Sequence, residues 1–161
     1  MDGKIFVISD THFNHRNIIE YCNRPFKDVE EMNAAMIENW NRVVGPDDYV
    51  IHCGDFSLGR IDDTKEIVSQ LNGHKILVRG NHDHNTVSQY KGAGFESVFG
   101  EKVVFDIKGK KICFSHHKNE ETPYLNLYGH VHNKPEDDEN HICVCVEVHN
   151  YTPVLLDDLI K

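Results

Sequence analysis

Apolar residues recur along this chain in two different rhythms. Short unbroken apolar runs are typical of strands that are buried on both faces of a sheet. A stretch that begins at Asp28 instead repeats its apolar residues every three or four positions, which predicts an amphipathic helix that ends before Gly45. Shorter helices are predicted after Asp62 or Asp63 and over residues 86–91. The predicted strands of this first half are residues 4–8, 49–53 and 75–79.

The second half of the chain has a different pattern. Residues 101–106 and 110–114 flank Lys108-Gly109, which predicts two strands joined by a hairpin turn. With 161 residues and no linker or internal repeat, the chain is expected to form a single α/β domain, 1–161. The remaining predicted strands are residues 126–128, 142–148 and 151–156.

Composition narrows the class of protein. No apolar stretch approaches the ~20 residues of a membrane span, and the first residues run straight into a strand, which leaves no room for a signal peptide. Five cysteines are an odd number, and three lie in apolar runs, so we interpret them as reduced thiols in the core of a cytoplasmic protein. Cys143-x-Cys145 suggests a metal site, but alternation along a strand explains that spacing better.

The formal charge argues against one class of partner and leaves another open. A net charge of −9 disfavours a strong nucleic-acid-binding surface, which needs clustered Lys and Arg. It does not exclude a phosphate substrate, because carboxylates around divalent ions count as negative although the ions neutralise them. Twelve histidines are a high number for this length and direct attention to metal sites.

Five strand-like segments each end in residues that can ligate a metal ion. Taken singly, Asp10 and His12 would also suit an ordinary turn with a surface histidine. In α/β sheets, however, ligands bind in the crevice at the carboxyl ends of the strands, and chance would not place every set at that one edge. The sets are Asp10 with His12, Asp55, Asn81 with His82, His116, and His130 with His132.

The chemistry of these side chains indicates what binds. Carboxylate, amide and imidazole ligands without cysteine suit borderline cations such as Mn²⁺, Fe or Zn²⁺. The set is too large for a tetrahedral zinc site, which takes three or four ligands. It is about right for two ions roughly 3.5–4 Å apart that share a carboxylate, an arrangement used to hydrolyse phosphate esters.

In this order along the chain, these motifs resemble the signature set of the calcineurin-like metallophosphoesterases. The resemblance extends over nearly the whole chain, and residues 8–15 and 151–153 are similar to the small bacterial and phage branch. It implies a four-layer α/β/β/α sandwich of two mixed β-sheets flanked by helices, with the metal site at one edge of the paired sheets. The motifs are Asp10-x-His12, Gly54-Asp55, Gly80-Asn81-His82-Asp83, His116 and Gly129-His130-x-His132.

The resemblance also implies a role for each residue. His82 would be the catalytic histidine that assists the leaving oxygen, with Asp83 fixing its orientation. The nucleophile would be a hydroxide that bridges two divalent ions, with Mn²⁺ as the expected metal and Fe, Zn²⁺ or Ni²⁺ as alternatives. His116 rather than His117 matches the first histidine after the strand. One ion would be held by Asp10, His12 and His132, the other by Asn81, His116 and His130, with Asp55 as the bridge.

The implied function is hydrolysis of phosphate esters, namely phosphodiesters or nucleotides, by a chain without a cap domain. Ser/Thr protein phosphatases of the superfamily carry an Asp-Arg pair after the bridging Asp and a Glu at the end of the third motif. This chain lacks the pair in residues 54–60 and has Asp83 in place of the Glu. A small phosphate ester or nucleotide is therefore the expected partner, no membrane is expected, and the oligomeric state is left open.

Two alternatives to this function are a metal-binding scaffold without chemistry and a nuclease. A scaffold would have lost ligands, whereas every position here is filled, and the acidic balance disfavours a nuclease. Arg16, Arg24 and Lys118 either contact phosphate or are solvated surface charges. Without metal, the carboxylates of Asp10, Asp55 and Asp83 are expected to repel one another and strain the fold.

Overall fold

The computed structural model describes residues 3–160 and contains two β-sheets. The strands are β1 (Ile5–Ile8), β2 (Tyr49–His52), β3 (His74–Val78), β4 (Ser97–Phe99), β5 (Lys102–Ile107), β6 (Lys110–Ser115), β7 (Leu125–Tyr128), β8 (His141–Cys143) and β9 (Val154–Leu155). The first sheet has the order β4-β3-β2-β1-β9, with β9 antiparallel to β1 and the other pairs parallel. The second has the order β5-β6-β7-β8, with β5 antiparallel to β6 and the other pairs parallel.

Four helices lie between strands in the chain, and a fifth follows β9. They are α1 (Arg16–Tyr21), α2 (Val29–Val43), α3 (Ile61–Val68), α4 (Val87–Ala93) and α5 (Leu156–Leu159). The predicted start of α2 is confirmed, because the Asp28 carboxylate accepts the backbone N–H of Glu31. The predicted start of α3 at Asp62 or Asp63 is wrong. That helix begins after Arg60, and the Asp63 carboxylate accepts the Arg60 N–H from inside the first turn (3.1 Å).

Apolar side chains fill a layer on each face of the first sheet. The layer between the helices and this sheet includes Met32, Met36 and Trp40 of α2. The layer between the two sheets includes Val7 and Phe114. Because the first sheet is buried on both faces, its strands are the continuous apolar runs that the sequence shows.

The second sheet has a different outer cover. Asn126 and Tyr128 of β7 point away from the core between the sheets and bond to loops. The Asn126 side chain accepts the N–H of Asn119, and the Tyr128 hydroxyl donates to Asp137 (2.9 Å). The expectation of two mixed sheets with flanking helices is confirmed. The segments that these hydrogen bonds hold against the outer face of the second sheet are loops.

Several local predictions can be compared with the structure. The short helix near 86–91 is α4, and the hairpin turn at Lys108-Gly109 is confirmed, since both residues have positive φ (55° and 82°). The strand predicted over 142–148 is only partly formed, because the chain leaves β8 and pairs at Cys145 with Ser9 beside the first sheet. Within residues 3–160, no helix is long and apolar enough to cross a membrane.

Candidate metal centre

The loops that carry the expected ligands have an unusual backbone. Positive φ is uncommon in residues other than glycine and tends to occur at functional sites, where surrounding contacts must hold it. Here the loops after β1 and β2 hold each other, because Asp10 N donates to Gly54 O (2.9 Å) and His12 N donates to Asp55 O (3.1 Å). The expected ligands with positive φ are Asp10 (58°), His12 (49°), Asp55 (57°), His130 (76°) and His132 (54°).

Asp10 is fully buried and has one free oxygen. Its Oδ2 accepts hydrogen bonds from Ser9 Oγ (2.6 Å), His130 N (2.8 Å) and Cys145 Sγ (3.3 Å). Its Oδ1 has no hydrogen-bond partner among residues 3–160 and lies 3.6 Å from Nε2 of both His12 and His132. A buried carboxylate oxygen left unpaired is costly, so this atom is suited to a cation.

The two carboxylate oxygens of Asp55 also have different contacts. Its Oδ1 accepts the backbone N–H of His82 (2.9 Å). Its Oδ2 lies 3.5 Å from His12 Nε2 and 3.3 Å from His116 Nε2. One carboxylate oxygen therefore stands between two imidazole nitrogens, which is the geometry that a shared ligand of two ions needs.

Three imidazoles present Nε2 to these carboxylates and use Nδ1 for another contact. Such contacts fix the orientation of a ligating histidine and determine which nitrogen is free to bind metal. His12 Nε2 is buried and, within the described part of the chain, has no hydrogen-bond partner. The Nδ1 contacts are His12 with His15 Nδ1 (3.1 Å), His116 with the Cys53 carbonyl (2.8 Å) and His132 with Glu147 Oε2 (2.9 Å).

The other side of the centre is more open. His130 is exposed, and its Nδ1 lies 3.2 Å from His116 Nε2. Its ring stands 4.2 Å from the exposed His117 ring, and ligand nitrogens of His116, His117 and His130 lie within 4.8 Å of one another, so His117 is placed to ligate beside His116. Asn81 is exposed and lines the same cleft of about 690 Å³ as His116. The structure thus brings His116 and His130 together and places Asn81 on the wall beside them.

His82 and Asp83 lie side by side in the turn after β3 but differ in exposure and contacts. His82 is exposed, and its ring centroid lies 5.7 Å from that of His12. Asp83, which was expected to orient His82, bonds to the backbone. Asp83 Oδ2 accepts the N–H of Asp55 (2.7 Å) and the N–H of Gly80 (2.7 Å). Its Oδ1 accepts the N–H of Phe56, the next residue of the Asp55 loop. Asp83 therefore fastens the Asp55 loop to the turn that carries His82.

Charges at the centre neutralise one another without metal. Burial opposes ionisation of Asp10 and Asp55, but their contacts with histidines outweigh it and hold the pKa of each carboxyl well below its usual range. Burial also opposes protonation of His116, yet Asp55 and Asp10 raise its pKa to about 9. Histidines therefore offset the repulsion that was expected between Asp10 and Asp55. Burial does raise the pKa of Asp83, with the Asp55 charge adding to the effect.

The three cationic residues named from the sequence have different surroundings. Arg24 is buried and bonds to Glu147, so it is neither a surface charge nor open to a substrate. Lys118 lies at the cleft and pairs with Glu120 (3.2 Å). Arg16 is exposed on α1 and does not line the cleft.

Sequence reasoning missed Glu147, which contacts a predicted ligand. It lies in a stretch whose alternation suggested a plain strand, and no motif spacing connects it to His132. His15 was noticed only as part of the first motif. Neither residue type nor periodicity reveals which polar side chains meet beneath a site.

Comparisons with known proteins agree with this architecture. Residues 4–152 match the calcineurin-like phosphoesterase superfamily domain. The chain is 41% identical over 174 residues to an uncharacterised protein of Methanocaldococcus jannaschii, covering 98% of this chain and 90% of that protein. A gene 66 protein of Mycobacterium phage L5 is 38% identical over 78 residues, which is 47% of this chain and 37% of the phage protein.

Two solved structures share the fold. A protein of unknown function from Aquifex aeolicus superposes with a TM-score of 0.79 at 29% identity, covering 99% of this chain and all of that one. An archaeal phosphodiesterase superposes with a TM-score of 0.53 at 24% identity, covering 88% of this chain and 82% of that one, which is a likeness of fold alone. From its sequence match and its architecture together, the chain belongs to the calcineurin-like phosphoesterase superfamily.

Proposed function

We propose that this protein is a dinuclear metal-dependent phosphoesterase that acts on small phosphodiesters or nucleotides. The observation that supports this best is the pair of buried, unpaired atoms Asp10 Oδ1 and His12 Nε2, which point to a common space with His132 Nε2. Orphaned polar atoms of this kind are rare in folded proteins unless something binds them. Membership of a phosphoesterase superfamily agrees with a hydrolytic reaction.

The donor set fits divalent ions at two places. Oxygen and imidazole donors without thiolate suit Mn²⁺, with Fe, Zn²⁺ or Ni²⁺ as alternatives. When bound, the ions would supply positive charge against the phosphate oxygens and acidify a water molecule. Asp55 would contribute Oδ2 to both places. The first metal position consists of Asp10, His12 and His132, and the second metal position consists of Asn81, His116 and His130.

His82 is proposed as the residue that gives a proton to the leaving oxygen. Its exposed ring stands at the mouth of the centre, near His12. Its backbone is fixed by the bond from His82 N to Asp55, and Asp83 holds the same turn from below. A positioned proton donor of this type contributes about 10²–10⁴-fold to the rate.

The cleft beside the centre supports a small substrate. Its volume of about 690 Å³ falls in the range of pockets that take drug-sized ligands. A phosphate group alone would leave most of this space empty, which favours a substrate that also carries an organic group. Lys118 and Arg79 line the same cleft, and Lys118 pairs there with Glu120 (3.2 Å).

Hydrolysis assays on protein stripped of metal test the proposal. We expect cleavage of an aryl phosphodiester to vanish in chelator and to return when Mn²⁺ is added. Aryl monoesters and cyclic nucleotides assayed in parallel would define the substrate class. Binding of two ions with no hydrolysis of any monoester or diester would instead indicate a metal-binding scaffold.

A further inference from the structure

A single buried arginine contacts the chain segments on both sides of the first metal position. The side chain of Arg24 is 0% exposed. Its Nη1 donates to Thr11 O (2.8 Å) and its Nη2 donates to Asp10 O (2.7 Å). Its Nε and Nη2 also donate to Glu147 Oε2 (3.0 and 2.7 Å). Arg24 therefore joins the loop after β1 to a residue near the end of the chain.

Glu147 bonds both to Arg24 and to His132, a proposed ligand of the first metal position. Its side chain is 2% exposed, and the Oε2 that accepts from Arg24 also accepts from Nδ1 of His132 (2.9 Å). With Nδ1 held in this way, Nε2 of His132 faces Asp10 Oδ1 at 3.6 Å. A carboxylate on the far nitrogen fixes the ring and strengthens the other nitrogen as a metal ligand.

The β1-loop end of this network holds strained backbone. Asp10 and His12 have positive φ, and the Arg24 guanidinium donates to the carbonyls of Asp10 and Thr11 that lie between them. The turn that carries Glu147 is itself attached beneath the centre, because Val146 N donates to Ser9 O (3.1 Å). One guanidinium group thus bonds to the chain segments on both sides of the first metal position.

We propose that Arg24 and Glu147 are positioning residues that set the metal affinity of the first metal position and leave the second metal position unaffected. The inference rests on the proposed metal sites but not on the proposed reaction. The second metal position offers a contrast, since the carbonyl of Cys53, rather than a carboxylate, holds Nδ1 of His116. A role in stability alone is a weaker account, because a buried ion pair is often no more stabilising than an apolar pair of the same size.

Metal titration of the full-length protein after chelator treatment tests this inference. Glu147→Gln keeps an acceptor for His132 and removes the charge. We expect one of the two Mn²⁺ ions to bind about 10-fold more weakly in this variant, the low end of the loss usual for such contacts, and the other to bind as in the parent. Co²⁺ loaded in place of Mn²⁺ should show a changed visible spectrum for one ion only.

A double variant keeps the test decisive if single changes impair folding. Arg24→Met with Glu147→Leu removes both charges of the ion pair together and replaces them by apolar side chains. We expect it to fold and to bind one ion where the parent binds two. Lys75→Met is the matched control, because Lys75 is another buried charge, whose Nζ donates to Leu71 O (2.6 Å) at the opposite end of β3. It should keep both ions.

The outcomes separate this inference from the proposed function. If the Glu147 variants bind both ions with parental affinity and only melt at lower temperature, the pair is merely structural and the inference is overturned. If the parent binds two ions and hydrolyses nothing, the proposed function fails while the affinities still decide the role of Arg24 and Glu147. A parent that binds no ion would overturn both.

Discussion

The two halves of the candidate metal centre differ in how completely the protein builds them. In the first metal position, Asp10 and His12 are 0% and 3% exposed, and each ligand has a further polar contact behind it. In the second metal position, only His116 is buried, while Asn81 and His130 are exposed at the cleft. One half is assembled by the fold itself, and the other half is open on the side where substrate would arrive.

This difference teaches that one centre can combine rigidity with access. Ligands that are already oriented lose little freedom when an ion binds, whereas exposed ligands must be ordered at that moment. We therefore expect the first metal position to hold its ion more tightly and the second to exchange its ion more readily. The predictions that follow test this contrast or separate it from catalysis.

The largest effect is expected from His82→Ala, since His82 is a ligand of neither metal position. The rate should fall roughly 10²–10⁴-fold while both ions stay bound, because a positioned proton donor is lost. Metal content and hydrolysis rate measured on the same preparation check this. His84→Ala is the matched control, since the exposed His84 ring is 6.3 Å from that of His82. Loss of metal from His82→Ala would contradict its assignment as a proton donor.

The next effect compares a ligand from each half. His132→Ala removes a ligand of the first metal position. The affinity for one ion should fall by more than roughly 100-fold, beyond the loss usual for residues that only contact a ligand. His130→Ala removes an exposed ligand and should weaken the other ion by less. Calorimetric titration with Mn²⁺ measures both affinities. Equal losses in the two variants would show that burial does not distinguish the halves.

The pH dependence of metal binding should sharpen the contrast. In the metal-free protein the pKa of His116 is raised to about 9 by Asp55 and Asp10, and that of His132 to about 10 by Cys22 and Glu147, although burial opposes both shifts. At pH 7 both rings are protonated, and an ion must displace the protons. Affinity should therefore rise with pH, by up to about 10-fold per unit for each proton released.

Titrations in buffers of different ionisation enthalpy count the protons released at each half. The sign is opposite for the stability of the metal-free protein. Because the pKa values of His116 and His132 are raised from 6.5, their stabilising effect is complete below that pH and disappears as the pH rises through about 9 and 10. Metal affinity that does not change between pH 6 and 9 would contradict the histidine–carboxylate pairing.

The smallest effect concerns Asp55, which joins the two halves. Its carboxylate accepts from His82 N and faces His116, so Asp55→Asn should melt a few degrees below the parent in chelator. Mn²⁺ at a hundredfold excess over its dissociation constant stabilises by about 2.7 kcal/mol, or roughly 5–10 °C for a chain of this size, and the variant should gain much less. A chelated variant that melts higher than the chelated parent would restore the repulsion hypothesis.

The sequence alone determined the chemistry at the sheet edge. Apolar runs marked β1, β2 and β3, and the residues just after them showed which polar groups the edge would carry. This succeeds because strand burial and ligand type are local properties, written in neighbouring residues. His116 was likewise expected at one site with Asp55, and their side chains lie 3.3 Å apart although they follow strands of different sheets.

Only the tertiary structure decided what supports those groups. Arg24 and Glu147 lie 123 residues apart in the chain, and no periodicity relates them. Asp83 follows His82 directly, yet its oxygens bond to the backbone of another loop. Partners of this kind are selected by the packing of distant segments, because a buried polar group must bond to whatever the fold brings within reach.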